Sequence, residues 1–230
     1  MNPNTDVQTK VPSKNSQIAK HGFHAEVALC LQEDVKNAME MYFQSPIQTI
    51  TRIHGKKYDL RLKFENGSET TLQNKDGNGK GRGWSVDRRK VERFEDKELI
   101  LLLKTLCLKQ GTEKPSVPNT ISKRVLQLGM LGLDEKEYPA YFTHTISNKG
   151  NGKIISMSIC HTDVLMDFMH DKLYETMVPK RTCVHLSPNC YLQRKGSKKD
   201  TRADDIQMKF CFTQELDKLF IPILGQPIPQ

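Results

Sequence analysis

The segment 56–77, KKYDLRLKFENGSETTLQNKDG, narrows most strongly what this chain can fold into. Its first half alternates apolar and polar residues with the period of a half-buried strand. The apolar positions are Tyr58, Leu60, Leu62 and Phe64. Asn66-Gly67 follows, and Asn-Gly between two strand-like runs is the strongest short-range signal for a β-hairpin. The sequence therefore predicts a hairpin over residues 57–75.

Three polar residues of this hairpin are expected to meet at one end of a sheet. Asp59 lies at the start of the first strand, and Gln73 and Lys75 lie at the end of the second. A carboxylate and an amide oxygen can hold a divalent cation such as Mg²⁺. An ammonium group can assist a metal-activated water that attacks a phosphate. The pattern predicts a metal-dependent nuclease in which Asp59 and Gln73 bind the metal and Lys75 assists the water.

This donor set is short of negative charge, because Gln73 can coordinate only through its neutral carbonyl oxygen. A second carboxylate from another part of the chain would correct that shortage. Glu26, on a helix expected to begin at His21, is the candidate for completing or supporting the metal site. The alternative for Glu26 is an exposed helix residue with no role in the chemistry.

The charge of the chain favours a polyanionic partner. There are 35 Lys and Arg residues against 27 Asp and Glu residues, which gives a formal net charge of +8. Much of the excess lies in two runs, Lys75 to Arg93 and Gln193 to Arg202. One basic run is usually a solvated loop. Two such runs, one of them next to the predicted metal site, favour contacts with the phosphates of a nucleic acid.

Other classes of protein fit the sequence less well. The first residues have no apolar core of the kind found in signal peptides, and no apolar run approaches the roughly 20 residues of a membrane span. The six cysteines contain no C-x-x-C pair, so a zinc site is not expected. Reduced thiols in the cytoplasm are the expectation, with no membrane contact and no protein partner.

The pattern of elements predicts one α/β domain with a central mixed β-sheet flanked by helices. The expected boundaries are a flexible lead-in over 1–17, a nuclease domain over 18–222 and a tail over 223–230. Helices are expected from His21 to Ser45-Pro46 and over 87–94, 96–108, 121–128, 134–145, 161–176 and 213–219. Further strands are expected over 47–54, 153–160, 183–186, 190–194 and 206–212. The last two form an antiparallel strand pair within a C-terminal part, 182–212.

The residues described above resemble the PD-(D/E)XK superfamily of nucleases, and more narrowly the HinP/Msp-type subgroup of type II restriction endonucleases. In that subgroup an amide residue replaces the acidic residue that precedes x-Lys, and Gln73 is such an amide residue here. The segment AKHGFHAEVALC, which contains Glu26, is similar to the subgroup's N-terminal helix with its extra metal-site carboxylate. Tyr58 stands where the superfamily has a proline, which is not a metal ligand. The resemblance does not place residues 95–180.

The resemblance implies a Mg²⁺-dependent endonuclease that cuts double-stranded DNA at a short, four-base GC-rich palindrome, as a monomer or weak homodimer. It also implies which segments contact DNA. The residues that follow the active site are Arg82, Trp84, Arg88 and Arg89. The residues expected to read bases in the major groove are Gln193, Arg194 and Lys195. The expected phosphate contacts are Lys198, Lys199 and Arg202.

Two alternative functions, and the role of Trp84, stay open on the sequence alone. A structure-specific or repair nuclease of the same superfamily would keep Asp59, Gln73 and Lys75 but would not need a base-reading strand. A non-catalytic DNA-binding protein with an eroded active site would explain the amide at Gln73. Trp84 is expected either to pack on DNA, as a sugar contact or a wedge at a base step, or to be a core or hinge aromatic residue.

Overall fold

The computed structural model describes residues 14–77, 83–90, 119–148, 151–180, 183–194, 205–211 and 214–225. Its helices are α1 (Lys14–Leu31), α2 (Glu33–Phe43), α3 (Asn119–Met130), α4 (Thr162–Asp171) and α5 (Gln214–Asp217). Its strands are β1 (Ile47–Arg52), β2 (Leu60–Phe64), β3 (Glu69–Asp76), β4 (Gly83–Lys90), β5 (Tyr141–Ser147), β6 (Ile154–His161), β7 (Val178–Lys180), β8 (Cys183–His185), β9 (Cys190–Arg194), β10 (Asp205–Cys211) and β11 (Ile221–Leu224). A 3₁₀ turn covers Glu135–Glu137.

The central sheet has six strands in the order β1-β2-β3-β5-β6-β11. Its β3 and β5 run parallel, and the other neighbouring strands run antiparallel, so the sheet is mixed. Helices α1 and α2 pack on its first strands and on β11. The predicted α/β class with a central mixed sheet is confirmed.

The predicted hairpin is present as β2 and β3. All four alternating apolar residues of its first strand are buried. The connecting turn is stabilised at Gly67, whose φ of 85° lies in the left-handed region that glycine tolerates best. The Asn66 side chain accepts hydrogen bonds from the backbone N–H and the hydroxyl of Ser68, at 2.9 and 2.7 Å. The alternation and the turn residues therefore specify the same structure.

A second sheet of five antiparallel strands has the order β4-β10-β9-β8-β7. The predicted C-terminal strand pair is its β9 and β10, which pair from Ile206 with Arg194 to Phe210 with Cys190. The other side of β10 pairs with β4. Residues 83–89 and 193–194, which include some of the predicted DNA contacts, are therefore brought into one sheet by β10.

Two hydrophobic cores hold these layers. One joins α1 and α2 to the central sheet, and its most buried members include Leu29, Met39, Leu60 and Leu72. The other joins Phe142 and Cys160 of the central sheet to residues of α3, α4 and α5 and of the second sheet. Val184 and Leu192 are the second sheet's paired contribution to that core. The side of the second sheet that carries Val184 and Leu192 therefore packs in the core, and the residues that alternate with them lie on its other side.

Two predicted helices are wrong within the described residues. The segment 83–90 is strand β4, although a helix was expected from Asp87; its run of charged residues has no periodicity, and pairing with β10 decides its conformation. The segment 134–145 contains only a 3₁₀ turn, which Pro139 follows, and then strand β5. That strand is rich in aromatic and β-branched residues, which favour a sheet. The helix predicted over 96–108 lies outside the described residues.

The two ends of the described chain also differ from expectation. The described part of the first helix already covers residues 14–17 of the predicted lead-in, and the expected single helix is broken at Gln32. The Gln32 amide donates to the carbonyl of Ile154 and accepts from its N–H, both at 2.8 Å, which holds the break against β6. Strand β11 covers Ile221–Leu224 and so includes the first two residues of the predicted tail, and its Pro222 is tolerated because an edge strand need not donate every ladder bond.

The other predicted helices and strands are confirmed with shifts of a few residues, including α3, α4, β6, β8 and β9. Helix α4 begins where the His161 side chain accepts a hydrogen bond from the N–H of Asp163, so this histidine is a helix cap. Among the described residues, no helix is long and apolar enough to cross a membrane.

Candidate active site

Asp59 and Gln73 are in direct contact at the end of the hairpin. Their strands pair from Lys63 with Glu69 to Leu60 with Leu72, and the Asp59 N–H extends that ladder to the Leu72 carbonyl at 2.9 Å. The Gln73 side-chain N–H₂ donates to Asp59 Oδ2 at 2.6 Å. The backbone N–H of Asn74 donates to the same oxygen at 2.9 Å. One carboxylate oxygen therefore accepts two hydrogen bonds from consecutive residues of β3.

The surroundings of Asp59 raise its pKa above the usual range for aspartate. Burial is the main cause, because it disfavours the charged form, and the nearby Glu26 charge acts in the same direction. Lys75, the Asn74 N–H and Arg52 lower the pKa but do not offset the burial. The carboxylate is thus a partly buried acid whose negative charge is incompletely compensated by the protein.

Among the groups that lower the pKa of Asp59, the charge of Lys75 has the largest effect. It lies two residues beyond Gln73 on β3, so both positions fall on the same side of the strand. The Lys75 side chain is half-buried, whereas Gln73 is only 7% exposed. The structure therefore brings Asp59, Gln73 and Lys75 together at one edge of the hairpin.

Glu26 contacts Arg52 rather than Asp59. The Arg52 Nε donates to Glu26 Oε2, and the Arg52 guanidinium carbon lies 4.3 Å from the centre of the Phe23 ring. This set joins α1 to β1, and the Glu26 side chain is 24% exposed. Glu26 is thus neither a free surface residue nor a contact of the Asp59 pair, but its charge acts on Asp59.

A buried polar ladder fixes β3 against β5 from the opposite side. Asn74 is 7% exposed, and its Oδ1 accepts from the hydroxyls of Thr143 and Thr145 at 2.9 and 3.2 Å. Two residues further along β3, Asp76 accepts from Ser147 at 2.8 Å and lies 3.2 Å from the Thr145 hydroxyl, whose one hydrogen it shares with Asn74. Asn74 and Asp76 alternate along β3 with Gln73 and Lys75. Their hydrogen bonds to β5 therefore hold in place the strand from which Gln73 and Lys75 project. Sequence reasoning missed it because 134–145 was assigned to a helix.

The donor chemistry of this pair fits a hard divalent cation. An incompletely compensated carboxylate beside an amide offers oxygen ligands of the kind that Mg²⁺ takes. Coordination by Gln73 would use Oε1, so its amide would turn from the orientation in which N–H₂ donates to Asp59. The part of the chain that the structure describes contains no group of three or more His, Cys, Asp or Glu side chains arranged to hold a metal ion. Water or phosphate oxygens would supply the remaining ligands.

The predicted DNA contacts are only partly within the described residues. Five of them lie outside: Arg82, Lys195, Lys198, Lys199 and Arg202. Trp84, Arg88 and Arg89 lie on β4, and Gln193 and Arg194 lie on β9. Backbone pairing places Arg88 and Gln193 on either side of Gln207, and Arg89 and Arg194 on either side of Ile206.

Gln193 is half-buried on the side of β9 that faces away from the core. Its neighbour Leu192 is 1% exposed and belongs to that core, and successive strand residues point to opposite sides. On the same side as Gln193, the rings of Tyr191 and His185 stack with centroids 5.2 Å apart. Lys209 pairs with Tyr191 from the next strand. This outward row of Lys209, Tyr191 and His185 was not found from the sequence, because its members come from three strands.

Comparison with known proteins gives limited likeness. No protein-family model matches this chain, and no curated protein matches it. Among solved structures, the chain is similar to the restriction endonuclease MspI in a crystal structure with its cognate DNA. The TM-score is 0.44 at 13% sequence identity, over 77% of each chain. The case for a function therefore rests on the residues of the site.

Proposed function

We propose that this chain is a site-specific endonuclease that hydrolyses phosphodiester bonds of double-stranded DNA with Mg²⁺, of the type II restriction class. The observation that carries the proposal is the shared oxygen of Asp59, which accepts from Gln73 and from the Asn74 N–H beside the Lys75 charge. Because burial leaves this carboxylate undercompensated, it favours a bound cation. Metal-dependent phosphodiester hydrolysis needs an acidic metal ligand and a nearby cation, and Asp59 and Lys75 would supply them.

Asp59 would be the anionic ligand in this mechanism, and Gln73 the neutral one. A bound Mg²⁺ supplies Lewis acidity toward a phosphate oxygen and a lowered pKa for its water. Lys75 would orient the attacking water and stabilise the negative charge that grows on the phosphate. Burial of the pair strengthens these electrostatic effects, because the local dielectric constant is lower than that of water.

Glu26 would support the site rather than coordinate the metal directly. Its ion pair with Arg52 holds α1 beside the hairpin, and its charge adds to the negative potential at Asp59. A direct ligand role would require Glu26 to leave Arg52.

The second sheet would bind the DNA. Gln193 and the outward row of Lys209, Tyr191 and His185 offer an amide, a cation and aromatic rings on one side of this sheet. An amide can read adenine and a cation can contact guanine or phosphate. The net charge of +8 favours approach to a polyanion. A four-base GC-rich palindrome, cut by a monomer or weak homodimer in the cytoplasm, is the form of this function that the resemblance implies.

The test is a digestion of unmethylated phage DNA with Mg²⁺ or with EDTA, compared among the wild type, Lys75→Ala and Lys63→Ala. Lys63 is an exposed lysine on β2 of the same hairpin and serves as the matched control. We expect discrete fragments from the wild type and from Lys63→Ala in Mg²⁺ only. We expect Lys75→Ala to lose about 10²-fold or more in rate, as for other lost charge-stabilising groups.

The other outcomes select among the alternatives. A Mg²⁺-dependent smear would favour a less specific nuclease of the same superfamily. Intact DNA in every lane, together with a shifted band in a binding gel, would mean that the protein binds DNA without cutting it. Equal activity of Lys75→Ala and the wild type would contradict the assigned active site.

A further inference from the structure

His144 lies beside Lys75 on the neighbouring strand of the central sheet. Strands β3 and β5 are parallel, and Lys75 is paired with His144 in their register. Paired residues of neighbouring strands project from the same side of the sheet, with backbones about 4.8 Å apart. His144 is not among the residues predicted for the site, because its segment was expected to be helical.

Gly77 provides the space that the His144 ring occupies. The N–H of Gly77 donates to the Thr145 carbonyl at 2.8 Å, which keeps the chain in register one residue beyond β3. A Cβ atom at Gly77 would lie 2.6 Å from His144 Nε2, a separation that real Cβ contacts do not show. The imidazole therefore lies directly against the Gly77 backbone, and any other residue at this position would displace it.

The environment of His144 is that of a site margin rather than of a core. Two residues earlier on the same side of β5, Phe142 is fully buried and is paired with buried Cys160. His144 and its partner Ser158 are half-buried, as is Lys75. Lys75, His144 and Ser158 thus form a row of partly accessible polar residues directly beyond the buried row that contains Gln73.

The position of His144 favours a contact with substrate over a metal contact. Asp59 lies on the far side of β3 from β5, so the backbones of Asp59 and His144 are about two strand spacings apart. An imidazole N–H can donate to a phosphate oxygen, and Lys75 next to it attracts the same anion. We propose that His144 contacts a phosphate of the bound DNA beside Lys75. This inference rests on the nuclease function proposed above.

The test compares His144→Ala, His144→Asn and the exposed loop variant His54→Ala in two assays. The first is single-turnover cleavage of phage-derived duplex at saturating protein over a range of Mg²⁺ concentrations. We expect His144→Ala to slow cleavage by about 10-fold or more, as for loss of a hydrogen bond to a charged group. The asparagine variant, which retains an N–H donor, should recover part of the rate, and His54→Ala should match the wild type.

The Mg²⁺ concentration for half-maximal rate should be the same in the wild type and His144→Ala. A shift of about 10-fold in that concentration, with an unchanged maximal rate, would make His144 a metal-site residue and overturn the proposal. Unchanged rates in His144→Ala would also overturn it. The second assay is binding of fluorescent duplex in EDTA, in which His144→Ala should bind more weakly than His54→Ala.

Gly77→Ala supplies an independent check, because it should displace the His144 ring without removing it. We expect Gly77→Ala to slow cleavage and the double variant with His144→Ala to be no slower than His144→Ala alone. Additive losses would contradict a shared contact. If the wild type cuts no DNA, the nuclease function fails, and the binding assay alone then decides whether His144 contacts phosphate: weaker binding supports the contact, and unchanged binding overturns it.

Discussion

The two sheets of this protein place their polar residues in opposite ways. In the central sheet, Asp59 and Gln73 are tied to each other and to β3 by hydrogen bonds at 2.6 and 2.9 Å, and a second polar ladder fixes β3 from behind. In the second sheet, Leu192 turns inward to the core while Gln193 and Tyr191 remain half-buried on the outside. One sheet holds a charged group away from water, and the other offers groups to a partner.

This difference teaches that the chemistry and the recognition of the proposed nuclease can be separated. A partly buried carboxylate that lacks full compensation destabilises the folded protein, and a bound cation would remove that destabilisation. Outward residues of the second sheet carry no such cost and act only when DNA is present. Substitutions in the central sheet should therefore change stability and rate, whereas substitutions in the second sheet should change binding with little effect on stability.

The largest effect is expected from a second carboxylate in the buried pair. Gln73→Glu would place a carboxylate where an amide now donates to Asp59 at 2.6 Å. Like charges at this distance should lower the free energy of unfolding in EDTA by about 3 kcal/mol, the scale of an uncompensated buried charge. Mg²⁺ should return much of that stability, because a bound cation compensates both carboxylates. Thermal unfolding with and without Mg²⁺ measures this.

Gln48→Glu is the control for that experiment, since Gln48 is an exposed residue of β1 in the same sheet. It should unfold like the wild type with and without Mg²⁺. A Gln73→Glu variant whose unfolding does not respond to Mg²⁺ would contradict a metal site at this pair.

An intermediate effect is expected from the ladder behind the active site. Asn74→Ala removes the oxygen that accepts from the buried hydroxyls of Thr143 and Thr145. Thr145 keeps Asp76 as an acceptor, but the buried Thr143 hydroxyl loses the Asn74 oxygen, and a buried donor without its acceptor should cost about 2 kcal/mol of stability. Cleavage should also slow, because Gln73 and Lys75 lose the register that the ladder fixes. Urea unfolding and single-turnover rates measure the two effects.

Asn37→Ala, an exposed position in α2, should change neither stability nor rate substantially. If Asn74→Ala proved as stable as Asn37→Ala, the ladder would not be the element that holds β3 in place.

The smallest effect is expected in the second sheet. Gln193→Ala should weaken binding to the cognate site by about 10-fold, as for loss of one base contact of about 1–3 kcal/mol. Its unfolding midpoint should stay that of the wild type, since Gln193 lies outside the core. Binding to cognate and unrelated duplexes by fluorescence anisotropy checks this prediction. An equal loss on both duplexes would indicate a phosphate contact rather than base reading.

The hairpin could be predicted because its information is local. The alternation from Tyr58 to Phe64 and the turn at Asn66-Gly67 specify strand, face and reversal within one short segment. Once the register was fixed, the meeting of Asp59 with Gln73 followed from it. The burial of these residues did not follow, because it depends on helices and strands that lie far away in the sequence.

Strands β4 and β5 could not be predicted because their information is not local. The run Asp87-Arg88-Arg89-Lys90 has no alternation of its own and is a strand because β10 pairs with it. Strand β5 follows Pro139 and is buried on both sides, so it lacks the alternation that marks a half-buried strand. The Asn74 ladder and the position of His144 depend on β5, so neither could be predicted once β5 was not.

The most direct test of the central claim is the unfolding and cleavage of Asp59→Asn, with Asp167→Asn, at an exposed position of α4, as the control. The oxygen that accepts from Gln73 and Asn74 can be kept in the asparagine, while the buried charge is removed. Because the pKa of Asp59 is raised in the folded state, wild-type stability falls as pH rises from the ordinary pKa of aspartate through the raised one.

Asp59→Asn should therefore unfold at a higher temperature than the wild type at pH 7 in EDTA, should lose that part of the pH dependence, and should cut no DNA in Mg²⁺ while still binding it. Asp167→Asn should cut like the wild type. An Asp59→Asn variant that cuts DNA at the wild-type rate would contradict the account, because the buried carboxylate would then have no part in the chemistry.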